Sequence, residues 1–407
     1  MLRGKAHAEA LIRSEAALFC AGEAKAVENF IPPFLQLDFQ ITGRCNSRCT
    51  FCNCWKNPYS VEKDIPGVVW TETVKKLKGF TDIEYLCIGG GEPLLYRDIF
   101  ELLRAMTELN VHTIMVSNGS LFSHETCCKI LDTGLNQIDL SLDGFEKTHD
   151  SLRGMPGSFK KCVDSIFRLK KLNTGMSLGI SSLICGENLH ELPEFLDWVL
   201  RELPIDRINF QAYQQVTEYK GKKWWETSGL WPNDEETVIH TLDYLAEKTR
   251  NEKKITNHPL QCEKFKRYFL NPQSTLGIDC PAGAFNFSVS HTGDVIGCIA
   301  MGPVGNIKHA DAVDIYQKRF SDVRKRAVAC KENCHFLINC YFPLHWSRWE
   351  HLVKNMVKED TEPIYKPGPI VLPPEINKRN HKNRRLSRFD KIRSPQAFGL
   401  NRNNHTS

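Results

Sequence analysis

Six short apolar runs recur between residues 35 and 215, and the stretches between them carry helical or turn character. The runs are Leu35 to Ile41, Tyr85 to Ile88, Val111 to Val116, Gln137 to Leu140, Met176 to Ile184 and Arg207 to Phe210. Asp98 to Leu109 and Leu192 to Leu203 place apolar residues at helical spacing. Alternating strands and helices build a parallel sheet with its helices outside. Six such units predict an α/β protein of partial (β/α)6 TIM-like barrel form. In parallel sheets the carboxyl ends of the strands form the ligand face, so the residues that follow each run carry the functional information.

The first run leads into Gly43-Arg44-Cys45-Asn46-Ser47-Arg48-Cys49-Thr50-Phe51-Cys52, three thiols spaced C-x3-C-x2-C. Thiolates are soft ligands that iron–sulfur clusters select, and three of them leave one iron of a four-iron cubane open to a chelating cosubstrate or substrate. Structural zinc is the competing reading; it wants four ligands, and Cys54 would be the fourth. The second run ends at Gly89-Gly90-Gly91-Glu92-Pro93, where glycines let backbone approach a ligand and Glu92 adds a carboxylate. The third ends at Ser117-Asn118-Gly119 and the fourth at Ser141-Leu142-Asp143-Gly144, with His149-Asp150-Ser151-Leu152-Arg153-Gly154 close behind. Singly these are ordinary turns. In series, at successive strand ends, they describe one site.

That series resembles the signature of the radical S-adenosylmethionine (SAM) superfamily. The resemblance implies that Cys45, Cys49 and Cys52 hold a SAM-binding [4Fe–4S] cluster, that SAM is cleaved to a 5′-deoxyadenosyl radical, and that hydrogen is taken from a C–H bond. Gly89, Gly90, Gly91 and Glu92 match the motif that binds the amino group of SAM. Ser117, Asn118, Ser141 and Asp143 match later cosubstrate contacts, the last two near the ribose. Arg153 matches an arginine that pairs with the methionyl carboxylate, a task for a planar bidentate cation. Asn188 follows Gly186-Glu187 where relatives contact the nucleoside, with helix capping as an equal alternative. Cys54 is expected to point away from the cluster because it is offset from Cys52 by two residues.

A second group of thiols lies downstream. Cys280 and Cys298 bracket two strand-like segments, Phe285 to Ser290 and Asp294 to Ile299, joined at His291-Thr292-Gly293 as in a hairpin. Cys330, Cys334 and Cys340 follow with C-x3-C-x5-C spacing, and no cysteine comes after them. This resembles a shortened SPASM or twitch extension, a cysteine-rich module that houses auxiliary clusters. It implies one auxiliary [4Fe–4S] cluster on Cys280, Cys298, Cys334 and Cys340, with Cys330 competing for a place; a zinc ribbon is the runner-up. Sulfatase-maturing relatives carry an aspartate where Ile299 stands, so that activity is not expected. Cys87, Cys127, Cys128, Cys162 and Cys185 fall in strands, helices or a strand end where cysteine acts as a small buried hydrophobe. Cys262 is read either that way or as a thiol near the barrel mouth.

Of the 407 residues 41% are hydrophobic and 25% charged, enough for a large core and more than one domain. The expected divisions are a helical leader at 1–34, the barrel core at 35–250, the auxiliary module at 251–350 and a tail at 351–407. From Ile376 the tail has nine Lys or Arg against one Asp, so the overall charge of +5 is a tail property. Sixteen cysteines without a secretion signal read as metal ligands and buried thiols in a cytoplasmic protein. No transmembrane segment and no nucleic-acid motif is expected. The implied partners are a peptide or small-molecule substrate and a reductant such as flavodoxin or ferredoxin. A degenerate homologue serving as electron carrier or sensor is the alternative, against which the intact cosubstrate motifs argue.

Overall fold

The first strand shows how the barrel wall is made. β1 (Phe34–Thr42) buries Leu35, Leu37, Phe39 and Ile41 completely, whereas Asp38 and Gln40 are exposed. Successive residues of a strand point to opposite faces, so the apolar set meets the helix layer and the polar set faces the barrel interior. The computed structural model from which this is read describes residues 31–32, 34–56, 63–172, 175–214, 223–272 and 282–330. Nearly all of the expected leader, the tail from residue 351, and Cys280, Cys334 and Cys340 lie outside the described residues.

Next come α1 (Gly67–Phe80), β2 (Asp82–Gly90), α2 (Ile99–Glu108), β3 (Thr113–Ser117), α3 (His124–Leu131) and β4 (Gln137–Ser141). After β4 the chain forms α4 (Glu146–Arg153), α5 (Ser158–Lys171), β5 (Ser177–Ile184), α6 (Leu192–Glu202) and β6 (Arg207–Ala212). Each of the six strands pairs in parallel with the next, as the alternating pattern predicts. The helices pack through stripes at helical spacing: Ile99, Leu102, Leu103 and Met106 on α2, and Leu192, Phe195, Leu196 and Val199 on α6, all buried. Full burial of one such side chain is worth about 1.5 to 3 kcal/mol. β2 begins three residues before its expected start, because Asp82 and Glu84 disguise its first turn of pleat.

Partners in a parallel register share a face, so the interior can be read across the wall. Asp38 stands beside Cys87, Val116 beside Asp139, Asp139 beside Gly179, and Gly179 beside Arg207. Arg207 reaches across the glycine to donate to Asp139 at 2.9 Å. A Cβ at Gly179 would fall 2.1 Å from Asp139 Oδ1, so only glycine leaves room for that pair. The open side of β6 is covered by residues 254–257: Ile208 N–H donates to Lys254 O, Thr256 N–H donates to Ile208 O, and the Asn257 amide brackets Phe210. That segment joins α7 (Glu235–Asn251) to α8 (Pro259–Leu270).

The expected hairpin is present as β7 (Asn286–Val289) and β8 (Asp294–Ile296), paired antiparallel, with Gly293 at φ +92° in its turn. Two features of it were not foreseen. β7 pairs in parallel with β1, from Gln36 beside Asn286 to Phe39 beside Val289, and β9 (Pro303–Asn306) adds a further antiparallel strand. The sheet therefore runs β6-β5-β4-β3-β2-β1-β7-β8-β9, and β1 is an interior strand. Three of the four residues of Pro-Val-Gly-Asn are of types depleted in strands, which is why it escaped the pattern. α9 (Ala312–Val328) closes over this end, stacking Phe320 on Phe287 with ring centroids 5.7 Å apart. Its buried Arg324 donates to Gly283 O at 3.0 Å.

Candidate active site

The cysteine loop leaves β1 at Thr42 and is held from two sides by backbone. On one side Gly91 N–H donates to Thr42 O at 2.8 Å and Glu92 N–H to Arg44 O at 2.7 Å. On the other, Arg48 N–H donates to Arg153 O at 3.0 Å and Thr50 N–H to Leu152 O at 2.9 Å. Both seams require glycine. A Cβ on Gly91 would sit 2.0 Å from Arg44 O, and one on Gly154, at φ +56°, would sit 2.4 Å from Arg48 O. Side chains complete the frame. Asp64 accepts from Thr42 Oγ1 and from the Arg44 guanidinium, and Trp55 Nε1 donates to Cys49 O at 3.0 Å.

Within this frame Cys49 is buried and Cys45 and Cys52 are half-buried, and the three thiols lie close enough to influence one another electrostatically. Burial pushes Cys49 up to about 11 against the opposing effect of Arg153. Among the described residues no three His, Cys, Asp or Glu side chains are disposed to hold a single metal ion. The soft donor set fits a cluster with three protein ligands.

Glu92 begins the ligand face at the end of β2. It is 1% exposed, and three donors converge on it: Ser117 Oγ at 2.7 Å, Asn118 N–H at 2.9 Å and Leu94 N–H at 3.2 Å. Burial raises its pKa while these bonds oppose the rise. A carboxylate offers about four acceptor sites, so one is left for a further donor such as an ammonium group. Over Gly89 a Cβ would meet nothing within 4 Å, which leaves open space at the strand end.

The family model described as the Radical SAM superfamily matches residues 39–199, the span that contains this arrangement. Residues 39–199 form a radical SAM domain. The chain is 28% identical over 185 residues to an Fe-coproporphyrin III synthase of Methanosarcina barkeri, covering 46% of this chain and 45% of that protein. To a PqqA peptide cyclase of Rhodopseudomonas palustris it is 29% identical over 180 residues, covering 43% and 46%. The chain thus spans about half the length of the curated relatives it matches. Among solved structures, Streptococcus suis SuiB bound to the precursor peptide SuiA aligns with a TM-score of 0.57 at 17% identity, covering 75% of this chain and 70% of that one. That likeness establishes the partial-barrel fold.

The match implies a SAM-binding [4Fe–4S] cluster and SAM as cofactors, and several side chains expected to meet SAM are engaged with protein. Asp143 is fully buried and takes Arg153 in a bidentate pair, at 2.6 Å from Nε and 3.0 Å from the second nitrogen, while Leu183 N–H donates to it at 3.0 Å. Arg153 beside it holds its carboxyl below the usual range despite burial. Instead of standing open to a ribose, Asp143 fixes the guanidinium. Arg153 keeps three of its five N–H groups clear of that pair and lies over the Phe51 ring at 5.1 Å, facing the cysteine loop. The Asn188 amide donates to Asp143 O and Leu183 O and accepts from Cys185 N–H, so its capacity is spent on backbone. It caps no helix, since the residue before α6 is Glu191. Asn118 spends its side chain on Asn46, Ser47 and Ser120, tying β3 to the cysteine loop, and Ser117 supports Glu92. Ser141 ends β4 and is buried, with its carbonyl accepting from Cys162 Sγ at 3.4 Å.

Other thiols also differ from expectation. Cys54 does not point away: its N–H donates to Cys52 Sγ at 3.5 Å, its thiol faces Gly90 O at 3.9 Å, and it interacts with all three loop thiols. A tight helical turn at Cys54–Lys56 brings it back, whereas extended chain would have carried it off. Hydrogen bonding from the Cys54 thiol and N–H lowers the pKa of Cys52. Cys127, Cys162, Cys185 and Cys262 are buried as expected, whereas Cys87 and Cys128 are only half-buried. In the downstream group Cys298 is buried against Ala282, Val323 and Ala327 and lies within electrostatic reach of Cys330. The spacing of the motifs pointed to none of Asp64, Thr42 or His149: Thr42 and Asp64 meet across 22 residues of chain, and a buried histidine beside a strand-end loop has no sequence signature. His149 accepts from Asp143 N–H through Nδ1 at 3.1 Å and is fully buried.

Proposed function

We propose that this chain is a radical SAM enzyme that acts on a peptide or small-molecule substrate within the barrel, with one auxiliary cluster downstream. The observation that carries the proposal is the clamped three-thiol loop with the glycine seam and Glu92 on one side and Arg153 on the other. Cys45, Cys49 and Cys52 would hold three irons and leave the fourth to the cosubstrate. When bound, the cluster and SAM supply a 5′-deoxyadenosyl radical that takes hydrogen from a C–H bond. The remaining acceptor site of Glu92 suits the amino group of SAM, and the unpaired edge of Arg153 suits its carboxylate. Asp143, Asn188, Ser117 and Asn118 would act at one remove, by fixing those two groups and the loop. Cys298 and Cys330, with Cys280, Cys334 and Cys340, are the candidate ligands of the auxiliary cluster, and a flavodoxin or ferredoxin is the candidate reductant. Curated relatives that modify peptides and others that make haem-type products both support a substrate of modest size, and fold alone does not choose between them.

The direct test is anaerobic reconstitution of the full chain, followed by dithionite and SAM. Release of 5′-deoxyadenosine by the wild type and its loss in Cys49→Ala are the expected results. Electron transfer without SAM cleavage would instead identify a carrier or sensor.

A further inference from the structure

Asp38 lies in the middle of β1, an interior strand with β2 on one side and β7 on the other. Its neighbours in register are Cys87 and Ser288, so all three face the barrel interior. An interior strand normally hides its side chains, yet Asp38 and Gln40 are both exposed. The interior is therefore open to solvent beside this strand. The flanking Leu37 and Phe39, on the opposite face, are completely buried.

What distinguishes Asp38 is the lack of a partner. The other interior acid in mid-wall, Asp139, is paired with Arg207. Among the described residues no cation, amide or hydroxyl engages Asp38, and desolvation by the surrounding wall alone raises its carboxyl to about 6. A carboxylate enclosed by protein but reachable from solvent gains most from a cation brought by a ligand, since an ion pair there is screened less than at the surface. Four residues of strand separate Asp38 from Thr42, about 13 Å along β1. A ligand seated at Asp38 would thus extend toward the glycine seam and the cysteine loop.

We propose that Asp38 forms a cation subsite in the barrel interior that receives an ammonium or guanidinium group of the substrate. The assignment rests on the reading that the interior takes the substrate, and it narrows the substrate class to molecules with a basic group some distance from the reacting C–H bond. Such a group would be a lysine, arginine or terminal amine in a peptide, or an amine in a smaller metabolite. Asp38 is a specificity residue in this scheme. It takes no part in SAM cleavage.

Cys87, beside Asp38, is a native reporter. The holoprotein is treated anaerobically at low ionic strength with cationic trimethylammonioethyl methanethiosulfonate or anionic sulfonatoethyl methanethiosulfonate. Modification of Cys87 is then timed by peptide mass spectrometry, with half-buried Cys128 on α3 as the reference outside the barrel. The cationic reagent should react faster at Cys87, on the order of tenfold relative to the same ratio at Cys128. Asp38→Asn should bring the two ratios together, and Asp38→Glu should restore the preference, which separates lost charge from lost fold. Equal ratios in the wild type, a preference that survives Asp38→Asn, or a Cys87 that neither reagent reaches would each overturn the subsite. Assaying 5′-deoxyadenosine in the same wild-type preparation tests the radical reading separately, because charge preference at Cys87 does not depend on SAM cleavage.

Discussion

His149 shows how much a single buried side chain can contribute to the pH response of the site. Its Nδ1 accepts from Asp143 N–H, and its Nε2 is buried without a hydrogen-bond partner in the described structure. Burial lowers its pKa from 6.5 to about 4 despite the nearby Asp143 carboxylate. The folded state therefore keeps the ring neutral while the unfolded chain takes up a proton below 6.5. Stability from this residue is intact above pH 6.5 and falls as pH drops toward 4, by about 3 kcal/mol in all. His149→Gln keeps an acceptor and removes the titration, so its urea midpoint should decline less than that of the wild type between pH 7 and 4.5. Parallel decline of the two would show that other groups dominate. At this scale the gathering of the thiols, Glu92 and Arg153 at the strand ends was legible, because the expected chemistry calls for those residue types there. The roles of Asp143, Asn188 and Asn118 were not, because a side chain's saturation depends on donors and acceptors that only tertiary packing supplies. Cys54 was misread for a related reason, a one-turn helix that its local sequence does not announce.

At the level of loops and strands, the three successive glycines divide their labour. Gly90 adopts φ +116°, Gly91 lies against Arg44 O, and Gly89 faces open space. Gly91→Ala should force the seam apart, with a cost of about 1 to 3 kcal/mol or more, and should lower iron incorporation after reconstitution. Gly89→Ala should leave thermal stability and iron content close to wild type while weakening SAM binding in equilibrium dialysis, because its methyl group would enter only the space over the strand end. Loss of iron in both variants would mean that the motif serves the fold throughout. Strand existence and order were readable from the alternation of apolar runs with helical stretches. The pairing of β7 with β1 was not, since nothing in a local pattern records which distant strand will lie alongside.

For the whole molecule, the wild type should carry about eight irons in two cubanes if the downstream thiols hold a cluster. Replacing Cys45, Cys49 and Cys52 together should leave about four irons and a spectrum indifferent to SAM, and adding Cys298→Ala should remove most of the remainder. Stoichiometric zinc in the triple variant would replace the auxiliary cluster with a structural metal site, and about twelve irons in the wild type would mean a third cluster. No helix among the described residues is long and apolar enough to cross a membrane.

The pairing of β1 with β7 also has a meaning in time. Gln36 and Asn286 are neighbours in the sheet but about 250 residues apart in the chain. At the usual pace of synthesis, about 5 to 20 residues per second, the strand that leads into the cysteine loop waits about 12 to 50 s on the ribosome for its second neighbour. During that interval the free edge of β1 invites intermolecular pairing. A nascent chain stalled before residue 286 should therefore be far more prone to aggregate than one released after it.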